Sequence, residues 1–334
     1  MENKIARLIE LVHRIPEACL DEAIEFMSAK IEENDDDKPS PSCPHCKGDN
    51  VSKNGRKDGR QRYRCNSCRK TFGDFTNTAI SHSHYGEAVW KQVIRDAISG
   101  ESLDATAVSI GVSHSTVFNM RHKILLALEA HEVQNPTVLD GVCELDDTYV
   151  LESYKGKKLP DGFWRKPRKH GAKAQKRGVS NEYVSICTGV QRDGAAYGST
   201  VTRATPSKED VIAVFEGRIG SEALILCDGA ASYIALGEKC ESPVKNVCED
   251  GNTKGGKGFY NTNTANSFHS FIKSRYNQYR GVATKFLNRY NALFSKTFRN
   301  DSNLVDELYG FLTDNDTSNH RTVHDVKNLD LLGI

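Results

Sequence analysis

No apolar run in these 334 residues approaches the ~18 that a membrane-spanning helix needs. The N-terminus, Met1-Glu2-Asn3-Lys4, lacks the charged-then-apolar pattern of an export signal. Together these absences lead us to expect a soluble, cytoplasmic protein with no membrane partner. In that compartment the ten cysteines are expected as thiols or metal ligands rather than as disulfides. A strong net charge is also missing: the formal value is +1, so the molecule as a whole is not basic. That average hides segregation, because Glu32 to Asp37 is acidic while Lys155 to Arg177 is heavily basic. Hydrophobic residues make up 38%, low but sufficient for a core, and the length allows two or three domains.

What is present centres on Val142-Cys143-Glu144-Leu145-Asp146-Asp147-Thr148-Tyr149-Val150. It reads as a strand, apolar at nearly every other step, that carries three carboxylates. Burying ionised carboxylates costs several kcal/mol unless something pairs them. Ala223 to Gly229 repeats the theme, an apolar strand ending in Asp228 and a turn residue. Two strands that each deliver a carboxylate suggest a divalent metal site. The plainer alternative makes Asp146 and Asp228 turn or cap residues.

Residues 5–31 have helical apolar spacing, broken near Pro16, and form a small helical unit within 1–38. A linker with Pro39 and Pro41 follows it. Cys43-x-x-Cys46 and Cys65-x-x-Cys68, eighteen residues apart, have the spacing of a tetrahedral zinc site in a ribbon over 39–80. Four thiolates leave no open coordination position, so this zinc is structural. Arg62 and Arg64 on the ribbon suit phosphate contact, although a solvated face would read the same.

Three helices are expected over 81–134. Ser102 opens the second and Ser113 caps the third, which is a helix-turn-helix pattern. His114, Ser115, Thr116, Asn119 and Arg121 would then face a DNA groove; in a generic bundle they would carry no such meaning. A basic insert at 153–178, including Lys166, Arg168 and Lys169 with Phe163 and Trp164 between its cations, suits a nucleic-acid groove or a charged loop that orders on DNA. Strands at 183–191 and 195–202, a helix from Ser207 to about Ile219, the Asp228 strand, a short strand near 244–248 and helices at 264–279 and 284–298 complete a core over 135–313. A tail over 314–334 follows. The overall class is multidomain: helical unit, zinc ribbon, helix-turn-helix and an α/β ribonuclease H-like core with a mixed sheet.

Glu144-Leu145-Asp146-Asp147-Thr148-Tyr149, Cys227-Asp228-Gly229-Ala230-Ala231-Ser232-Tyr233 and Asn261-Thr262-Asn263-Thr264-Ala265-Asn266-Ser267-Phe268 are three motifs in order. With the ribbon, they give the chain a resemblance to DDE-type insertion-sequence transposases of the ISXO-like branch, over about residues 40 to 300. Asp147, Asn261 and Asn266 stand where that family usually has Glu, His and Glu, and Asn at the third position is a variant within the branch. The resemblance implies a DNA transposase with Asp146, Asp228, Asn266 and Lys273 as catalytic residues. Lys273 lies two helical turns beyond Asn266, on its face. Two Mg²⁺ or Mn²⁺ ions are implied, Asp146 bridging both, Asp228 on one and Asn266 on the other, with Lys273 on a DNA phosphate. Glu144 and Asp147 are structural or supporting candidates. The implied partners are double-stranded DNA, as element ends and target, and further copies of the chain in a homodimer or higher homo-oligomer. The implied setting is the nucleoid of a prokaryotic host. An inactive DNA-binding regulator and a ribonuclease H-like nuclease are the alternative readings.

Overall fold

The computed structural model describes residues 41–57, 60–156, 159, 161–166, 172–248, 256–299 and 303–314. The helical unit expected over 5–31, most of the tail, and Arg168 and Lys169 lie outside the described residues. The chain divides into two units, Met1–Asp74 and Phe75–Ile334.

In the first unit, β1 (Val51–Lys57), β2 (Arg60–Cys65) and β3 (Thr71–Gly73) form an antiparallel sheet in that order. Tyr63 lies opposite Phe72 with their rings stacked at 5.6 Å. The buried apolar cluster here is Cys43, Cys65 and Phe72. A cluster this small cannot offset the entropy of ordering the chain around it.

The second unit is built on β4 (Val142–Leu151), β5 (Tyr183–Gln191), β6 (Ala196–Arg203), β7 (Leu224–Cys227) and β8 (Val244–Asn246). They form a mixed sheet in the order β6-β5-β4-β7-β8, with β7 parallel to β4 and β8 parallel to β7. Three helices precede the sheet: α1 (Glu87–Ser99), α2 (Leu103–Ile110) and α3 (His114–Gln134). Ser102 and Ser113 cap α2 and α3 as expected, accepting from the backbone N–H groups of Ala105 and Thr116. Among the strands lie α4 (Lys208–Phe215) and α5 (Ala231–Cys240), and after them come α6 (Asn263–Gln278), α7 (Leu287–Thr297) and α8 (Leu304–Thr313). A short hairpin, β9 (Gly256–Lys257) and β10 (Tyr260–Asn261), leads into α6.

Alternation along the strands divides the core into two. Val184, Ile186 and Val190 of β5 pack with Phe268, Ile272, Phe294, Trp90 and Ile124. The other face sets Leu145, Cys187 and Ile225 against Val211, Phe215 and Tyr233. α1 and α3 therefore share a core with the sheet, and Arg289 of α7 pairs with Glu129 of α3 at 3.1 Å.

Several details differ from the sequence expectation, which placed neither the β9–β10 hairpin nor a helix at Leu304–Thr313. The helix opened by Ser207 stops at Phe215 instead of near Ile219, because Glu216 turns to φ −58, ψ 125. Helix α5 was not foreseen. Its Gly237 is a poor helix former, yet a Cβ there would come within 2.0 Å of Val244 Cγ2, so close packing on β8 demands glycine.

Candidate active site and metal centres

The two knuckles of the first unit have the same local geometry. Lys47 and Arg69, each following the second cysteine of a pair, take left-handed backbone (φ 59 and 65). Their N–H groups donate to the carbonyls of Cys43 and Cys65. The turns bring Cys43 Sγ to 3.7 Å from Cys68 Sγ and Cys46 Sγ to 3.5 Å from Cys65 Sγ, with all four sulfurs within 4.8 Å of one another. Sulfurs around a tetrahedral zinc, each ~2.3 Å from the ion, lie ~3.8 Å apart. The four thiols fit such an ion. Arg64 is exposed and half-buried Arg62 donates to Thr71 Oγ1.

In the second unit the pairing of β4 with β7 decides where the carboxylates fall. Glu144 lies opposite Leu226 on parallel strands. Asp146 and Asp228 each follow two residues on; beyond the effect of burial, the Asp228 charge is near enough to raise the pKa of Asp146. Gly229 takes φ +87, and a Cβ there would meet the Asn246 side chain at 2.3 Å, so the turn after Asp228 requires glycine. Asp228 Oδ1 accepts from the N–H of Ala230 at 3.0 Å, just before α5.

Strand alternation sends the three carboxylates of β4 to different tasks. Asp147 points to the α5 face, where the Tyr233 hydroxyl donates to it at 2.6 Å. Burial raises its pKa, and the Tyr233 bond opposes that rise. Glu144 and Asp146 point to the α6 face. Glu144 is fully buried, and its carboxylate accepts from the backbone N–H of Thr264 (2.7 Å) and of Ala265 (3.0 Å). Arg192 Nε completes its shell at 2.7 Å. A carboxylate on orphan N–H groups at a helix start is favourable in charge and hydrogen bonding. Glu144 thus caps α6 from across the fold and ties it to β4, two residues from Asp146.

Asp146 Oδ1 accepts from the Asp147 N–H at 2.8 Å. Its pKa is raised to about 6, first by burial and further by the charges of Asp228 and Asp147; the Asp147 N–H and Lys273 oppose the rise. Across from it, buried His269 lies with Nδ1 3.9 Å from Asp146 Oδ2 and Nε2 2.7 Å from Thr188 Oγ1. Burial, with Lys273 adding to it, holds the His269 pKa down to about 4, so the ring is neutral. Asn266 and Lys273 are exposed on α6, one turn before and one turn after His269.

The sequence-expected DNA residues separate in the fold. His114 and Ser115 are exposed at the start of α3 and Thr116 is half-buried. Asn119 is half-buried with Oδ1 turned inward. Arg121 corrects the expectation: it is 1% exposed, bonds Thr106 and stacks over the Tyr279 ring. Its spacing from Val117, Ile124 and Leu128 places it on the inward stripe of α3. In the insert, Arg165 turns in to pair with buried Glu152 at 3.4 Å, whereas Lys166, Lys173, Lys176 and Arg177 are exposed. Lys155, Arg165, Lys173, Lys176, Lys273 and Arg280 line one cleft.

A family model, the ISXO2-like transposase domain, matches residues 138–301. These residues belong to that transposase family. The span contains β4 to α7, and with them Asp146, Asp228 and Asn266. The uncharacterized protein in transposable element ISH50 of Halobacterium salinarum is 25% identical over 256 residues, 75% of this chain and 83% of the relative. This transposase domain therefore sits in a chain whose likeness to an insertion-sequence protein extends beyond the domain. Solved structures similar to the chain include a pre-cleavage Mos1 transpososome, at TM-score 0.28 and 12% identity over 74% of this chain and 80% of that one. A Mos1 mariner paired end complex with Mn matches at TM-score 0.26 and 11% identity, over 70% and 79%. Scores this low add nothing to the strand order of the transposase domain described above. Among the described residues no helix is long and apolar enough to cross a membrane.

The roles of Glu144, Thr188 and Arg192 escaped the motifs. For Glu144 the signal was its separation of two from Asp146, which puts both on one strand face. Thr188 and Arg192 carry no such signal.

Proposed function

We propose that this chain binds the ends of an insertion sequence, hydrolyses a phosphodiester bond there and joins the freed 3′-hydroxyl to target DNA. The observation that carries the reading is that Asp146 and Asp228 each lie two residues past the parallel pair Glu144–Leu226, with Asp146 facing His269 of α6. A mixed sheet with the first strand at its centre also supports a ribonuclease H-like core. Asp146, Asp228 and Asn266 would hold two Mg²⁺ or Mn²⁺ ions. Such ions neutralise phosphate charge and lower the pKa of an attacking water. Lys273 binds a phosphate beside the cut, and the cationic cleft it shares with Lys155, Lys173 and Lys176 guides the strand. Lys166 adds charge from the insert; His114, Ser115 and Thr116 meet the duplex with Arg62 and Arg64 of the zinc-held ribbon.

The test is strand transfer of a labelled element end with Mg²⁺ or Mn²⁺. The expected product joins the end to target DNA and is absent with Asp146→Asn. Binding without cutting would make the chain a DNA-binding regulator. Cutting without preference for element ends would make it a nuclease.

A further inference from the structure

Thr188 Oγ1 has one proton and two close neighbours. The Asp146 carbonyl oxygen, 2.7 Å away, can only accept, so the hydroxyl proton goes there. The 2.7 Å contact with His269 Nε2 is then made by an Nε2–H donating to Thr188. That tautomer leaves the Nδ1 lone pair facing Asp146 Oδ2 across 3.9 Å. Two acceptors at that separation make no hydrogen bond with each other. One cation can span the gap, because donors ~2.1 Å from an ion can lie up to ~4.2 Å apart. An imidazole whose second nitrogen donates to a fixed oxygen is also the usual arrangement of a metal-bound histidine. His269 is 7% exposed and lies one helical turn from Asn266, on the stretch of α6 that Glu144 anchors to β4.

We propose that His269 is a ligand of the ion held between β4 and α6, sharing with Asn266 the place that a single helix carboxylate would fill. This rests on the metal-dependent site proposed above. Mg²⁺ holds to oxygen donors, whereas nitrogen donors are accepted along the divalent transition series that Mn²⁺ begins. The site is thereby biased toward Mn²⁺.

The full chain, with one equivalent of Zn²⁺ on the ribbon, is loaded with Mn²⁺ and the bound ion is read by pulsed electron paramagnetic resonance. Wild type should give the ¹⁴N coupling of a directly bound imidazole, converted to the ¹⁵N pattern when the protein carries ¹⁵N-histidine. Asp146→Asn should remove the coupling together with the ion. His269→Gln should remove the coupling, keep an Asp146-dependent ion, and lower the Mn²⁺ over Mg²⁺ affinity ratio at least about tenfold. Should His269→Gln fail to fold, the isotope exchange in wild type, with Asp146→Asn as control, still decides. Mn²⁺ bound through Asp146 with no nitrogen coupling, or with a coupling that survives His269→Gln, overturns the assignment and leaves the carboxylate site standing. Absence of any Asp146-dependent Mn²⁺ overturns both.

Discussion

The ribbon and the transposase domain each carry candidate metal ligands, but they place them by opposite routes. In the ribbon, four thiols converge through two local turns, and the surrounding apolar cluster is three residues. In the domain, Asp146, Asp228 and Asn266, the ligands proposed above, come from elements far apart in sequence, held by two apolar cores that do not include them. A metal in the first region is part of the folding energy. In the second the fold stands on its own cores, and the proposed ions would occupy what the fold has prepared. Each expected effect below either widens that contrast or closes it.

The largest effect should come from the ribbon. Cys65→Ser or chelation removes on the order of 10 kcal/mol of zinc-linked folding free energy. Heteronuclear NMR should then show the resonances of residues 43–73 collapsing, with those of β4–β8 in place. Unfolding of both units together would abolish the contrast. Next, Asp146→Ala and Asp228→Ala should each lower cleavage of element ends at least about a thousandfold, ~4 kcal/mol of barrier. Their melting temperatures should stay near wild type, and Asn266→Ala should cost less because only a neutral oxygen is lost. A cooperative loss of folding in either aspartate variant would mean that this site, like the ribbon, holds its own fold together.

Glu144→Gln is expected to cost about 2 kcal/mol in urea unfolding, because charge-assisted bonds to Arg192 and the start of α6 are weakened. Cleavage should fall with it at temperatures where the protein remains folded, since α6 carries Asn266 and Lys273. An unchanged urea midpoint would show that the cap contributes no stability. The smallest effect is in pH. Asp146, with its pKa raised to about 6, is protonated below that value and must lose the proton to bind an ion. Apparent Mn²⁺ affinity at this site should fall roughly tenfold per unit as pH drops below about 6, and level off above it. Calorimetric titration at several pH values checks the slope; a flat profile would exclude Asp146 as the ligand that sets it.

Several features could be read directly because their signals are local. A C-x-x-C pair states its own turn, and Ser102, Ser113 and Ser207 each accept from a backbone N–H three residues on. The inward stripe of Val117, Arg121, Ile124 and Leu128 was equally legible, and placing Arg121 on DNA gave the motif more weight than the helical period. Helix α5 was hidden because Gly237 is selected by Val244, a residue on another element.

The sequence by itself determined the thiol pairs, the helix starts, and the alternation that puts Glu144 and Asp146 on one strand face and Asp147 on the other. These depend on backbone periods and on side chains reaching their own neighbours. Only the tertiary structure decided that Glu144 would cap a helix starting about 120 residues later, and that Thr188 would turn the lone pair of His269 toward Asp146. The register of β4 on β5 and β7 chose those partners. Register is set by packing both cores at once, and no local stretch of chain carries that information.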